Sequence, residues 1–495
     1  MASIVKATRR RKAVVRQRRK QQRRRLRQAK VHRRRHRPHR RPATLPQRVL
    51  QVIGGVLQLF AVAFTRPTYQ RFVVLLLAAI LTTGSRTVLN LLRTVGDLAP
   101  GDPSSYHRVF AKRRWSLWHL GRALAGFILA RWVPEGPVQV AGDDTVAEHK
   151  GKKVYGKACH RDAVRSSHSF TAYRWGHKWV VLAILVQFPF AKRPWALPVL
   201  CALYCTAKED EKRGRRHKTP AELMRQLLAV LCRWFPERRF VFVGDGGFGV
   251  HPLASFVHRH RRRLTLVSRF YPNANLHDLP PAPTGKKKNG RPRKKGVKLP
   301  SPQDVVAKAA RKQRLRVSWY GGGQRDIAVV TGTGHWYKGG EGLVPVRWVY
   351  VHDRTGTHRD DYFFSTDVDL SAQEIVEAYT RRWNLETTFQ EMRGYLKLEK
   401  TRGWTEHTVL RTAPCLFGLY AVIAVFYAEL PVWWQRQRAV TWRDKAAVTF
   451  SDAITAVRRW LWAEWVFATP DHSQAFAKIP RRMQATLLDG LAPAA

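Results

Sequence analysis

The sequence has 495 residues, with 90 Lys and Arg against 34 Asp and Glu and a formal net charge of +56. That balance excludes a protein indifferent to polyanions and points to a nucleic acid first and an anionic membrane surface second. A hydrophobic share of 44%, with 18 Trp and 22 Phe, excludes a chain disordered throughout and supplies core for two or three domains.

Residues 1–44 are dominated by Lys and Arg, and no acidic residue precedes Asp97. Charge would surround any helix formed there, leaving no apolar stripe to bury, so a disordered arm that grips phosphates is expected. A targeting tail has a similar composition, whereas the compact apolar region of a secretory signal is not evident. Over residues 45–134, the runs RVLQVIGGVLQLF, TYQRFVVLLLAAIL and WSLWHLGRALAGFILARW predict a helical, DNA-binding domain. The TTGS break between two runs fits the turn of a helix-turn-helix, and equally an ordinary helical hairpin.

Over residues 135–269 the rhythm changes. VQVAG reads as a strand ending at Asp143, and SFTAYRW and WVVLAILVQF as two strands joined by a tight turn at GHK. WALPVLCALY extends the sheet. TPAELMRQLLAVLCRW carries an N-cap at Thr219, Pro220 at the first helical position and Glu222 closing a capping box. RFVFVGD is a buried-type strand ending at Asp245, and LTLVS is another. Strands alternating with helices predict an α/β fold with a central mixed sheet, whose active groups gather at strand ends.

Residues 270–370 interrupt this with a Pro-rich basic loop and then LRVSWY, DIAVVTG, VRWVYVHD and YFFSTD, a β-rich insertion. Within the loop, NGRPRKKG resembles an AT-hook, in which Arg291 and Arg293 would enter an A·T-rich minor groove; a merely basic loop is the alternative. Residues 371–430 open on SAQEIVEAYTRRWNLETTFQEMRGYL, where Ser371 and Glu374 form a capping box. The apolar stretch 413–430 carries Pro414, Gly418 and Glu429, and the stretch 72–81 is too short for a bilayer, so both are expected as buried helices. Residues 431–495 form a Trp-rich helical end. The five cysteines, Cys159, Cys201, Cys205, Cys232 and Cys415, lack CxxC spacing and read as reduced core thiols.

On the helix from Ser371, a turn of about 100° per residue puts Tyr379, Arg382, Glu386 and Arg393 on one face. A carboxylate that holds a cation, with guanidinia and a phenol for phosphate oxygens, suits a metal-bound phosphodiester. An exposed helix laced with ordinary ion pairs shows the same spacing.

YTRRWNLETTFQEMR resembles the Y-x2-R-x3-E-x6-K signature of hairpin-type insertion-sequence transposases in the DDE superfamily. The resemblance implies a ribonuclease-H-like catalytic domain, with Glu386 as catalytic glutamate and Tyr379 and Arg382 near the DNA end. Arg393 stands where the family has Lys, a planar fork replacing a point charge. VAGDDT resembles the family's D-x-[ST] motif and assigns Asp143 with Thr145, and FVGDGGFG resembles its second motif and assigns Asp245. Asp144 competes with Asp143, because adjacent strand residues point to opposite faces. The resemblance spans Val138 to Leu430.

It further implies that Asp143, Asp245 and Glu386 bind Mg2+, with Mn2+ substituting. The implied partners are the double-stranded DNA of element ends and target, met by a homodimer on paired ends, in the cytoplasm on the nucleoid and without a membrane. The implied cycle is end cleavage followed by strand transfer, often through a DNA hairpin with a base flipped onto a Trp of the insertion; Trp319, Trp336 and Trp348 are the candidates, with an ordinary place in the core as the alternative for each. A ribonuclease-H-like nuclease without transposition and a non-enzymatic nucleic-acid binder are the competing readings.

Overall fold

A computed structural model describes Gln21 and residues 45–162, 166, 169–282, 293–436, 445 and 447–493. The basic arm, Gln21 apart, and Arg291 lie outside the described residues. The chain divides into two compact units, residues 1–44 with 97–101 and residues 45–96 with 102–495. Of the first, Gln21 and Asp97–Gly101 are described; every element named below lies in the second.

The helical segment forms α1 (Gln47–Leu59), α2 (Arg66–Leu81), α3 (Val88–Val95), α4 (Pro103–Ala111) and α5 (Leu117–Trp132). Side-chain caps from Thr87, Asp102 and Ser116 start α3, α4 and α5, satisfying amides that have no partner within the helix. TTGS does lie between two helices, α2 and α3, and α2 is buried almost without interruption from Phe72 to Leu81. Further along the chain, the apolar stretch of residues 413–430 falls within α12 (Glu406–Glu429). By length and composition this helix alone, among the described residues, is able to cross a membrane, and 67% of its most apolar window is buried. Each fully buried side chain, Phe417, Ile423 and Phe426 among them, contributes roughly 1.5–3 kcal/mol. A proline inside a helix costs about 3 kcal/mol, so these contacts offset Pro414.

Eleven strands among the described residues, β1 (Val138–Glu148), β2 (Ala158–Arg161), β3 (Tyr173–Val186), β4 (Trp195–Tyr204), β5 (Phe240–Gly244), β6 (Leu264–Arg269), β7 (Leu276–His277), β8 (Gln313–Ser318), β9 (Gln324–Lys338), β10 (Gly342–Asp353) and β11 (Asp361–Ser365), form one mixed sheet in the order β2-β3-β1-β5-β6-β11-β10-β9-β7, with β4 on β3 and β8 on β9. The expected α/β class is what the chain adopts. β1 (Val138–Glu148) does not end at Asp143: it continues because β3 (Tyr173–Val186) pairs with it antiparallel as far as Glu148. GHK is not a turn either. It lies within β3, where Gly176 lets β1 approach so closely that a Cβ would stand 2.2 Å from the Ala147 carbonyl oxygen. β4 (Trp195–Tyr204) extends the sheet as expected, and the capping box of Thr219 and Glu222 starts α7 (Pro220–Trp234).

The β-rich segment contributes β8 (Gln313–Ser318), β9 (Gln324–Lys338), β10 (Gly342–Asp353) and β11 (Asp361–Ser365). These strands continue the same sheet, since β11 pairs antiparallel with β6 (Leu264–Arg269). Trp319, Trp336 and Trp348 are 9%, 6% and 2% exposed and belong to the core, the alternative to serving as platforms for a flipped base. Trp348, for example, fills the space over Gly332, where a Cβ would meet its ring at 2.7 Å.

The turn after β10 is organised by Asp353, whose side chain is 1% exposed. It accepts from the Thr355 and His358 amides at 3.1 and 3.0 Å, from the Thr357 hydroxyl at 3.0 Å and from Arg325 at 3.1 Å. Burial opposes ionisation, but these donors outweigh it and hold the carboxyl well below its usual range. That contribution is present above the unfolded value near 3.8 and is lost as pH falls through the lower folded value. Asp353→Ala is expected to lower stability by about 3–5 kcal/mol, as loss of a buried partner does, in urea unfolding at neutral pH.

The cysteines are all free thiols. Burial pushes Cys415 up to about 12 and raises Cys201 and Cys232 as well, so these are inert. Cys159, exposed on β2 (Ala158–Arg161), departs from the core placement expected of it.

Candidate active site

The site begins with two parallel strands in register. β1 and β5 (Phe240–Gly244) pair from Val138 opposite Phe240 to Gly142 opposite Gly244, so Asp143 and Asp245 are the next residues on neighbouring strands. Gly142 is required there, because a Cβ would lie 2.4 Å from the Phe242 ring and 2.5 Å from the Met224 methyl. Past Gly244 the chain turns sharply: the Gly247 amide donates to Asp245 Oδ1 at 3.0 Å, and Ser268 Oγ donates to the Asp245 carbonyl at 2.7 Å. The aspartate is held by the turn that ends its strand.

The third acidic residue comes from a helix. Ser371 and Glu374 form the expected capping box at the start of α10 (Ala372–Arg381), but the helix does not run on uniformly. It tightens at Arg382, where the Arg382 amide donates to the Tyr379 carbonyl at 3.1 Å and the Leu385 amide to the Arg382 carbonyl at 2.9 Å. α11 (Trp383–Tyr395) follows. Tyr379 and Arg382 remain neighbours across the tightening, the guanidinium lying 5.6 Å from the centre of the Tyr379 ring, and Glu386 and Arg393 follow on the side facing β1, as expected of one face. The Tyr379 ring, 2% exposed, stacks on Phe363 at 4.2 Å, while Arg382 and Glu386 turn toward β1.

A buried network that sequence reasoning missed fixes α11 on the sheet. Thr388 Oγ1 donates to the Ala196 carbonyl at 3.0 Å, and Arg193 reaches Asn384 Oδ1 at 3.0 Å and Glu391 at 3.4 Å. The Tyr420 hydroxyl donates to Glu391 at 2.6 Å, and burial raises the Glu391 carboxyl. In the sequence Glu391 reads as one more charge on a charged helix, and only its non-local partners distinguish it.

Arg382 links strand and helix. Its Nη1 donates to Asp143 Oδ2 at 2.8 Å and its Nη2 to Glu386 Oε1 at 2.6 Å. Burial pushes the Asp143 carboxyl up to about 8; Arg382 pulls against this, and Asp245, Asp144 and Glu386 add to it. Asp144 is engaged elsewhere, by Lys178 at 2.9 Å, as expected of neighbours on a pleated strand. Arg393 donates to the Thr145 hydroxyl and lies 3.4 Å from Glu399, so the last residue of the helix motif touches the last of the DDT motif. A groove of about 740 Å³ beside Asp245 is lined by Asp144, Lys178, Arg216, Arg225 and Lys338 among others. Arg293 is exposed on its loop. Another cavity, of about 330 Å³, is walled by apolar groups such as Leu124, Trp179 and Leu227, which offer nothing to a phosphate.

Among the described residues no cluster of acidic, His or Cys side chains is arranged as a ready metal cage. The donor chemistry nevertheless fits a hard divalent cation, because the groups offered are carboxylate oxygens, and at Asp143 burial raises the carboxyl with Asp245, Asp144 and Glu386 adding to it. The guanidinium between Asp143 and Glu386 is a stand-in cation that already balances two of them.

Carboxylates on adjacent parallel strands, Asp143 within β1 and Asp245 just past the end of β5, with a third on a helix packed against the sheet, define a ribonuclease-H-like nuclease fold. A family model described as DDE superfamily endonuclease matches residues 59–326, more than half of the chain, and the protein belongs to that family. The match takes in Asp143 and Asp245 and ends before Glu386. No curated protein matches. Among solved structures, the chain is similar to a piggyBac transposase synaptic complex with hairpin DNA, determined by cryo-EM, at 10% identity over 90% of this chain and 82% of that one, with a TM-score of 0.38.

Proposed function

We propose that the protein is a transposase of the hairpin-type insertion-sequence group, cutting the ends of its element and joining them to a target in a cut-and-paste cycle. The observation that carries this reading is the Arg382 bridge, which ties a strand-borne to a helix-borne carboxylate beside Asp245. Asp143, Asp245 and Glu386 are the residues that would hold Mg2+, or Mn2+ in its place. Such ions supply activation of the attacking oxygen and stabilisation of the leaving one in an in-line displacement.

The chain's own groups do the rest. Lys178 neutralises Asp144, which leaves Asp143 as the ligand on the Glu386 side. Arg382 holds the two carboxylates together, and with a cation in that place its forked donors would be free for a phosphate oxygen. Arg393, anchored by Thr145 and Glu399, is oriented for a second phosphate contact. Tyr379 acts through its packing, setting where Arg382 leaves the helix. Arg291 and Arg293 bind DNA from the basic loop, and the protein works as a homodimer on paired ends of double-stranded DNA, in the cytoplasm on the nucleoid.

The test is a joining assay. The full chain, a DNA carrying the sequences that flank its gene, Mg2+ and a supercoiled target are expected to give covalent end-to-target products. Cleavage without joining would reduce the reading to a nuclease, and binding alone would leave a non-enzymatic DNA-binding protein.

A further inference from the structure

One surface is not used by the chemistry above. β2 and β3 form a hairpin beyond Glu148, with Cys159 opposite Trp175 and Arg161 opposite Tyr173. Tyr173 and Trp175 are 68% and 58% exposed, among the most exposed large hydrophobic residues of the described chain. Two positions apart on one strand, they share a face. That face is also the one bearing Asp143: Val181 is opposite Asp143 and lies an even number of residues from Trp175. Trp175 is level with His149, whose amide donates to the Trp175 carbonyl at 3.1 Å. At about 3.3 Å per residue, the ring stands roughly 20 Å along the strand pair from Asp143.

The surroundings are cationic. Lys157 Nζ lies 5.3 Å from the centre of the Trp175 ring, and Lys150, Lys152 and Arg174 line the same groove of about 660 Å³, in which Glu148 is the acidic member. Exposed rings among ammonium groups match a chain of phosphates with accessible base faces. A duplex hides those faces within its stack, so the complementary ligand is unpaired.

We infer that Tyr173 and Trp175 form a stacking platform for unpaired bases of a DNA strand that runs from the carboxylates along β3, with Lys150, Lys152 and Lys157 on its phosphates. The platform rests on the nucleic-acid reading of the site, and it deepens that reading by naming single-stranded DNA as the form bound next to the cutting centre.

The experiment is a fluorescence-anisotropy titration of the full chain with an oligodeoxythymidine of about 16 nucleotides and with a duplex of equal length. It is run at raised salt, to suppress contacts made by phosphates alone. Trp175→Ala is expected to weaken single-strand binding about tenfold, within the range of one lost stacking contact. Trp175→Phe should restore it, and duplex affinity should stay unchanged. Unchanged single-strand affinity, or an equal loss on both DNAs, would overturn the platform. So would a shift of Trp175→Ala to a smaller assembly in sedimentation, which would make the rings a protein contact. Cleavage is not measured, so a failed platform is distinguishable from a failed nuclease.

Discussion

Asp245→Asn and Glu386→Gln, made singly in the full chain, are expected to remove cleavage and leave DNA binding nearly intact. A cation at such a site is worth several kcal/mol of transition-state stabilisation. At 1.36 kcal/mol per factor of ten, that is about a thousandfold in rate. Affinity depends on other groups: with 90 Lys and Arg in the sequence, phosphate neutralisation dominates binding, and one carboxylate amide subtracts little from it. The rate is read by gel on end-bearing DNA with Mg2+, and the affinity by filter binding at fixed salt. Variants that cleave at the parental rate would remove Asp245 and Glu386 from the reaction.

The second large effect is expected at Arg382, and it is read in stability. Arg382→Ala leaves Asp143 and Glu386 facing each other without the guanidinium between them, in a site where Arg382 itself is 8% exposed. Removing one partner of a buried ion pair costs about 3–5 kcal/mol. A divalent cation should restore much of this, because a ligand at a hundredfold excess over its dissociation constant stabilises by about 2.7 kcal/mol. In the parent the same addition should raise Tm less, since Arg382 must yield its place.

Acidity gives a second readout. Asp143 is an acid raised on folding, from about 3.8 to about 8, so the folded chain favours its protonated form. Its contribution to stability is full below the unfolded value and is lost as pH rises through the folded one. Without the guanidinium, which holds the Asp143 value down, that loss should extend to higher pH. Thermal melts across this range, with Mg2+ or with EDTA, separate the cases. A Tm indifferent to Mg2+ in both proteins would mean that the carboxylates do not share a cation.

Much of this was legible in the sequence where local chemistry decides. FVFVG followed by DGG has a buried strand's composition and a turn's residues, and Asp245 sits at that junction. Capping boxes at Thr219 and Ser371 are local patterns as well, and both helices start there. Where the readings diverge, a distant partner made the difference. β1 outruns Asp143 because β3 supplies a ladder through Glu148, and Gly176 is a point of close approach, a role that GHK shares in sequence with any turn. The helix tightens at Arg382 while Tyr379 stacks on Phe363 and Arg382 pairs with Asp143, contacts that no periodicity encodes. For Trp319, Trp336 and Trp348 the sequence leaves a core place and an exposed one both open, and the strands of residues 313–365 decide for the core by joining the main sheet and burying them.

That last arrangement bears on how the protein can be dissected. A segment lying between Asp245 and Glu386 in sequence invites excision to leave a minimal nuclease. Yet Val267, Ser268 and Arg269 of β6 pair with β11, and β11, the neighbour of β6 in the sheet, is among the strands such a cut would remove. What remained would carry an open edge whose unpaired amides and carbonyls recruit strands from other molecules. The trimmed chain would aggregate before its catalysis could be measured.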